Sequence, residues 1–189
     1  MNTSSCPSLR PTLLGCLFTL LLVPAASGQA PVVVTAPVSQ AVPEGGTAYL
    51  HVEAAGALPI TYTWRRNFEW TNYCQVTLDS HECTLVLSNL TLASACFFNL
   101  DVQNAYGWGG GKQVIVAVIA AGVETNGFAL TIRGLTNSLW RIDCSTNLAT
   151  AGWFTLTNFS IPRSPPVFKF VDLEGTNRSR FYRVIPKVY

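Results

Sequence analysis

Charge is the first thing this sequence has little of. Only 12% of its 189 residues are Asp, Glu, Lys or Arg, about half the usual share, and the formal net charge is +2. Nucleic-acid binding needs a clustered basic face, and the densest basic stretch, Arg178 to Arg183, holds three arginines. Histidine is almost as sparse, with His51 and His81 alone. No Ser/His/Asp or Cys/His set shares a predicted cleft, so the usual nucleophile-and-base constellations are missing. His51 lies on the outward parity of a predicted strand and reads as a solvated face residue. Helical periodicity is absent too: no ten residues carry apolar side chains at i, i+3, i+4. Instead, 14 Gly and 11 Pro separate segments rich in β-branched and aromatic residues, which predicts an all-β protein.

Residues 1–28 have the pattern of a cleavable signal peptide. Arg10 gives the positive start, Leu13 to Val23 the apolar run and Pro24 to Gly28 the small-residue exit. The run is too short to span a bilayer permanently. The expected product starts at Gln29 and is extracellular or on the cell surface, with no inserted segment. Leu13-Leu14-Gly15-Cys16 resembles a lipoprotein box, but most of the apolar run follows it rather than precedes it.

Residues 29–119 alternate as the strands of a sandwich do. Ala48, Leu50, Val52 and Ala54 alternate with Tyr49, His51 and Glu53; Ile60, Tyr62 and Trp64 alternate with Thr61 and Thr63. Val42-Pro43-Glu44-Gly45-Gly46 leads into the first run, Leu85 to Leu90 makes a later strand and its exit, and Phe98 to Gly107 carries the pattern Y-x-x-x-V-x-N-x-x-G with Phe first. Lys112 to Ile119 completes the set. Together these segments resemble an I-set immunoglobulin-like domain, with Trp64 as its core tryptophan. Val52 and Leu100 stand where animal I-set domains carry the cross-sheet cysteines, and Phe98 stands where they carry the corner tyrosine. The cysteine-free core resembles the immunoglobulin-like domains of bacterial secreted proteins.

Ala120 to Asn126 reads as a short linker, and residues 127–189 as a small second β module. Its predicted strands are Phe128–Ile132, Trp140–Cys144, Trp153–Thr157, Val167–Val171 and Arg180–Ile185. The signature Arg141-Ile142-Asp143, Ser145-Thr146-Asn147-Leu148, Trp153 and Arg180-Phe181-Tyr182-Arg183 resembles a short module that ends many such bacterial proteins. The resemblance implies a fibronectin-III-like topology. Five strands make a small core, marginal without a neighbour.

Four cysteines follow the leader: Cys74, Cys83, Cys96 and Cys144. Export favours disulfides, and four cysteines allow three complete connectivities. With Cys74 and Cys83 on a hairpin turning at Leu78-Asp79, the two thiols face each other, so they form the candidate disulfide. A metal site from Cys74, His81 and Cys83 lacks a fourth ligand and a familiar spacing. Gly107 to Gly111 opens no helix and so makes no phosphate cradle; it reads as a flexible hairpin. Asp172 and Glu174 sit in a polar turn, where with Asn177 they form at most a calcium loop. Trp70, Tyr73 and Trp108 fall in or beside predicted loops and are the candidates for stacking on a sugar or filling a partner's pocket. The function these readings imply is a non-catalytic, cofactor-free binding or adhesion module for an extracellular polysaccharide or surface protein. The alternative is a structural spacer or cell-envelope component without its own ligand.

Overall fold

Alternation determines the strands before topology does. In a computed structural model of the protein, which describes residues 28–67, 72–148, 152–175 and 179–187, Ala48–Ala55 (β3) buries every second residue along most of its length. Two shorter strands, Val32–Thr35 (β1) and Gln40–Pro43 (β2), precede it. Ile60–Arg66 (β4), Cys74–Leu78 (β5), Glu82–Leu87 (β6), Cys96–Asn104 (β7) and Gly107–Glu124 (β8) follow, with one 3-10 turn at Leu92–Ser94. The remaining strands are Gly127–Arg133 (β9), Leu139–Ser145 (β10), Phe154–Ser160 (β11), Val167–Asp172 (β12) and Phe181–Pro186 (β13).

The chain divides into two compact units, and neither is one continuous stretch. The described part of the first comprises residues 28–38, Tyr49–Leu87 and Phe98–Val114; the second comprises Ser39–Ala48, Ser88–Phe97 and Ile115 onward. In the first unit, β1, β3 and β6 form one sheet and β8, β7, β4 and β5 lie side by side in the other. That strand order is an immunoglobulin-like sandwich. Trp64, Tyr62, Phe98, Leu50, Ile60, Leu85, Leu100 and Val52 are its largest fully buried side chains. Val52 and Leu100, in the positions of the missing cystine, are therefore core residues, and Leu100 is the ladder partner of Trp64 on β7. Phe98 meets the indole edge-on, with centroids 6.4 Å apart.

In the second unit β12, β9 and β8 form one sheet, with β2 parallel to β8 over Gln40–Pro43. The other sheet is β11-β10-β13. Trp140, Ile142, Leu130, Ile132, Phe159, Ile161 and Ala117 make the core between them, and Phe159 stacks on Phe168 at 4.0 Å. All five strands expected after residue 127 are present. The linker expected over residues 120–126 is absent: Ala120 to Glu124 continue β8 and pair with β9 from Gly127 to Thr131. Small residues need not mean a linker when both flanks are β-formers, because alanine and glycine leave the ladder hydrogen bonds untouched. Residues 115–124 and β2 thereby supply apolar surface that residues 127–189 alone lack, with Ala41, Ile115 and Ile119 packed on the core.

Candidate functional site

The strand following the β7–β8 turn is built from glycine, and this determines where Trp108 lies. The hairpin turns at Ala105-Tyr106, and β8 returns along β7. A Cβ at Gly109 would sit 1.9 Å from the Pro31 carbonyl oxygen and 3.0 Å from Val102, so only glycine fits there. Gly110 has φ +97, a left-handed conformation that side chains rarely adopt, and it shifts the alternation by one residue as a bulge does. A Cβ at Gly111 would lie 3.0 Å from the Asp101 carboxylate and 3.9 Å from the Trp108 indole. Trp108 is still 65% exposed, and Tyr106 next to it 59%. The segment expected as a flexible glycine hairpin is thus paired strand with one bulge.

The base of the turn is held firmly. The Asn104 amide donates to the carbonyls of Gln29 and Ala57, both at 2.8 Å, and its Oδ1 accepts from the Tyr106 N–H. Ala57 N–H also donates to the Gln29 carbonyl. From Gln29 onward, therefore, the chain has a fixed place beside the turn.

Trp108 stands at one margin of the outer face of β8-β7-β4-β5. Ile60, Tyr62 and Trp64 point inward on β4, as do Phe98, Leu100 and Val102 on β7. The alternate residues make the outer face, and the register sets them in rows. Thr77, Thr61 and Gln103 are paired across three strands, as are Gln75, Thr63 and Asp101. The Thr61 and Thr77 hydroxyls are hydrogen-bonded at 2.8 Å, Arg65 pairs with Asp101, and Gln113 reaches Asn99 at 3.5 Å. These described residues of the face are polar, and the charges of Arg65 and Asp101 are paired to each other.

Of the three aromatic candidates, Trp70 lies outside the described residues. Tyr73 does not join Trp108. Its N–H donates to the Trp64 carbonyl and its half-buried ring packs edge-on against Phe98 at 5.1 Å. The Trp64–Arg65 level of the sheet faces Leu100 and Asn99, roughly 16 Å along β7 from the hairpin at Asn104.

The candidate disulfide is overturned. Cys74 is disulfide-bonded, but Cys83 carries a reduced, buried thiol, as do Cys96 and Cys144, so none of them is its partner. The reason is a sheet change. β5 pairs with β4, whereas β6 lies beside β3 in the opposite sheet, so Leu78-Asp79 begins a crossover and not a hairpin. Burial pushes the Cys83 thiol up to about 11, against the pull of the Trp64 indole N–H. That N–H is itself buried; its pull on the Cys83 sulfur falls short of hydrogen-bond geometry, and it has no other partner among the described residues. His81 Nε2 lies 3.0 Å from the Gly56 carbonyl, and His51 Nδ1 3.0 Å from the Thr84 hydroxyl.

Two carboxylates in the second unit organise more chemistry than the sequence suggested. Asp143, 3% exposed at its side chain, accepts from Arg141, Arg183 and Thr155 at 2.8 to 3.0 Å. Burial alone would raise its pKa; the bonds from Arg183, Thr155 and Arg141 outweigh burial and hold it below the ordinary carboxylate range. Arg183 also lies over the Trp153 ring, 4.4 Å from its centroid. Asp172 accepts from Arg180 at 2.7 Å and from the Tyr182 hydroxyl at 2.8 Å, and Arg180 reaches Glu174 as well. Asp172 and Glu174 thus hold an arginine, a use that competes with the expected calcium loop; Asn177 lies outside the described residues. The pairing was visible only as Arg and Asp two apart on one strand face, because Arg183 comes 40 residues later.

These features define a protein of immunoglobulin-like sandwich architecture with a second β unit. No known family's sequence profile matches the chain, and no curated protein matches it. Among solved structures, it is similar to the titin M10–obscurin-like 1 Ig complex at 19% identity and a TM-score of 0.44, covering 50% of this chain and 98% of that one. A chimeric titin Z1Z2 gives 22% and 0.43 over 49% and 96%. The twitchin kinase region from C. elegans gives 17% and 0.41 over 47% and 16%.

Proposed function

We propose that the chain is an exported, non-catalytic binding module of a bacterial cell surface or secretome, without a cofactor, engaging an extracellular polysaccharide or surface protein. The observation that carries this reading is Trp108: a large apolar ring 65% exposed, on a strand whose glycines admit one backbone path. Exposed indoles cost solubility unless something covers them, and aromatic anchors dominate recognition energetics. The leader-like segment before Gln29 supports export. The absence from the sequence of a nucleophile–base set supports a binding role.

The test is affinity electrophoresis of the full chain, wild type and Trp108→Ala, through native gels containing soluble polysaccharides, together with a pull-down on surface-protein extracts from the producing cell. Retardation or capture lost in Trp108→Ala, with the melting temperature unchanged, is the expected result. Binding retained in the variant would place the contact surface elsewhere. No binding in any format would favour the spacer role.

A further inference from the structure

The exposed tryptophan is one corner of a larger surface, and the rest of that surface indicates what kind of ligand would lie on it. Behind Trp108, the row Gln103, Thr61, Thr77 crosses β7, β4 and β5 at one level of the ladder. From β8 to β5 the row covers three strand spacings, about 14 Å. It consists of one amide and two hydroxyls, with no charge. One level along, Thr63 is buried, with Asp101 and Gln75 as its ladder partners. Two charges on the face, Arg65 and Asp101, are paired with each other.

From this geometry we propose that the outer face of β8-β7-β4-β5 is a platform for a neutral polysaccharide chain. The chain lies across the strands, with one sugar ring on the Trp108 indole and successive hydroxyls bonded by Gln103 and the Thr61–Thr77 pair. The proposal rests on the binding role assigned above to Trp108 and narrows it to a ligand class and a direction. Charge complementarity selects the neutral ligand: an acidic polymer wants an arginine with free N–H groups, and Arg65 is engaged by Asp101. A protein partner wants an aromatic or arginine anchor at the centre of the patch and a polar rim. Here the aromatic is at the margin and the centre is polar. A neutral sugar chain matches that layout, because its ring faces are apolar and its edges carry donors and acceptors in equal supply.

The experiment uses the full chain in gels containing hydroxyethyl cellulose, laminarin, galactomannan, alginate or polygalacturonate. Variants are Trp108→Ala, Gln103→Ala, Thr77→Ala and, as a control away from this face, Thr155→Ala on β11 of the second unit. Retardation in one or more neutral polymers is expected, abolished by Trp108→Ala. Losing one hydrogen bond in Gln103→Ala or Thr77→Ala should weaken it roughly 3- to 10-fold, with no change in Thr155→Ala. If Trp108→Ala abolishes binding while Gln103→Ala and Thr77→Ala leave it untouched, the tryptophan site stands and the platform falls. Retardation by alginate or polygalacturonate alone overturns the neutral assignment. Binding that survives Trp108→Ala overturns the binding role of Trp108 itself. No retardation in any gel, with all proteins folded, overturns the platform.

Discussion

Each unit buries a tryptophan completely, and the two are satisfied differently. Trp64 sits among aliphatic and aromatic side chains with its indole N–H unbonded and a neutral thiol as neighbour. Trp140 donates its N–H to the Ser138 hydroxyl at 2.8 Å. Around Trp64 the unit relies on apolar burial, including Val52 and Leu100 where a cystine would stand. The unit around Trp140 adds two carboxylate–arginine clusters, one at Asp143 on the tryptophan's own strand and one at Asp172 on β12 of the other sheet. A sandwich core can therefore be completed by burial alone, at the cost of one stranded donor, or by burial assisted by polar clamps. The Asp143 clamp ties the stability of the second unit to pH.

The largest expected effects are at the tryptophans themselves. Trp64→Ala and Trp140→Ala should each cost about 3–5 kcal/mol, the range for a core aromatic, read from urea unfolding. Phenylalanine sharpens the comparison: Trp140→Phe gives up a hydrogen bond that Trp64→Phe never had, so it should cost about 1 kcal/mol more. Equal losses would show that the Ser138 bond contributes nothing.

Asp143→Asn comes next. Two arginines lose their shared carboxylate, and breaking a buried pair costs about 3–5 kcal/mol. The arginines are roughly two-fifths exposed and recover water, so about 2–3 kcal/mol is expected. The pH dependence has the same origin. A carboxylate whose folded pKa is depressed contributes stability above its unfolded value, near 3.9, and that contribution is lost as pH falls through the folded value. Wild type should weaken steadily below about pH 4, and Asp143→Asn should flatten that limb. A variant with the wild-type acid limb would assign the sensitivity to another carboxylate.

Thiol chemistry probes the first unit. With its thiol pushed up to about 11 and buried, Cys83 should resist an aromatic disulfide reagent at pH 8 and react only on unfolding. Non-reducing peptide maps should contain no Cys74–Cys83 link. Fast native labelling of Cys83 would mean that the core around Trp64 opens readily. The smallest effect is at the surface: Trp108→Ala should leave stability within about 0.5 kcal/mol, which is what makes it usable as a binding probe.

Much of this architecture is legible in the chain because alternation is local. Ile60 to Arg65 reads as a strand with Trp64 inward, and the five strands after residue 127 fall where β-branched runs lie between turn formers. The partner strand is not legible. Gln75 to Leu78 alternates identically whether it pairs with β4 or with β6, so the crossover, and with it the fate of Cys83, depended on a sheet choice that period-2 patterning leaves open. Residues 120–124 read as linker for the opposite reason: alanine and glycine carry little propensity, and only their pairing with β9 makes them strand. At the candidate site, Trp108 was identifiable as an aromatic beside a turn, but the row Gln103, Thr61, Thr77 exists only once three strands are in register. Tyr73 looked equivalent to Trp108 by loop position and is separated from it by the length of the sheet.

The missing side chain at Gly109 sets limits on redesign. Any substituent there would displace Pro31, and with it the neighbouring Gln29, whose carbonyl ties Ala57 and Asn104 to the turn. Gly110 is constrained by its backbone conformation instead. A combinatorial library meant to re-aim this surface therefore leaves 109 and 110 alone, and also Gly107, whose φ of +145 is in the same glycine-favouring range. It has three that can vary at little structural cost, 77, 103 and 108, since their side chains are exposed. New specificities would arise by relettering the platform while the glycine path beneath it stays constant.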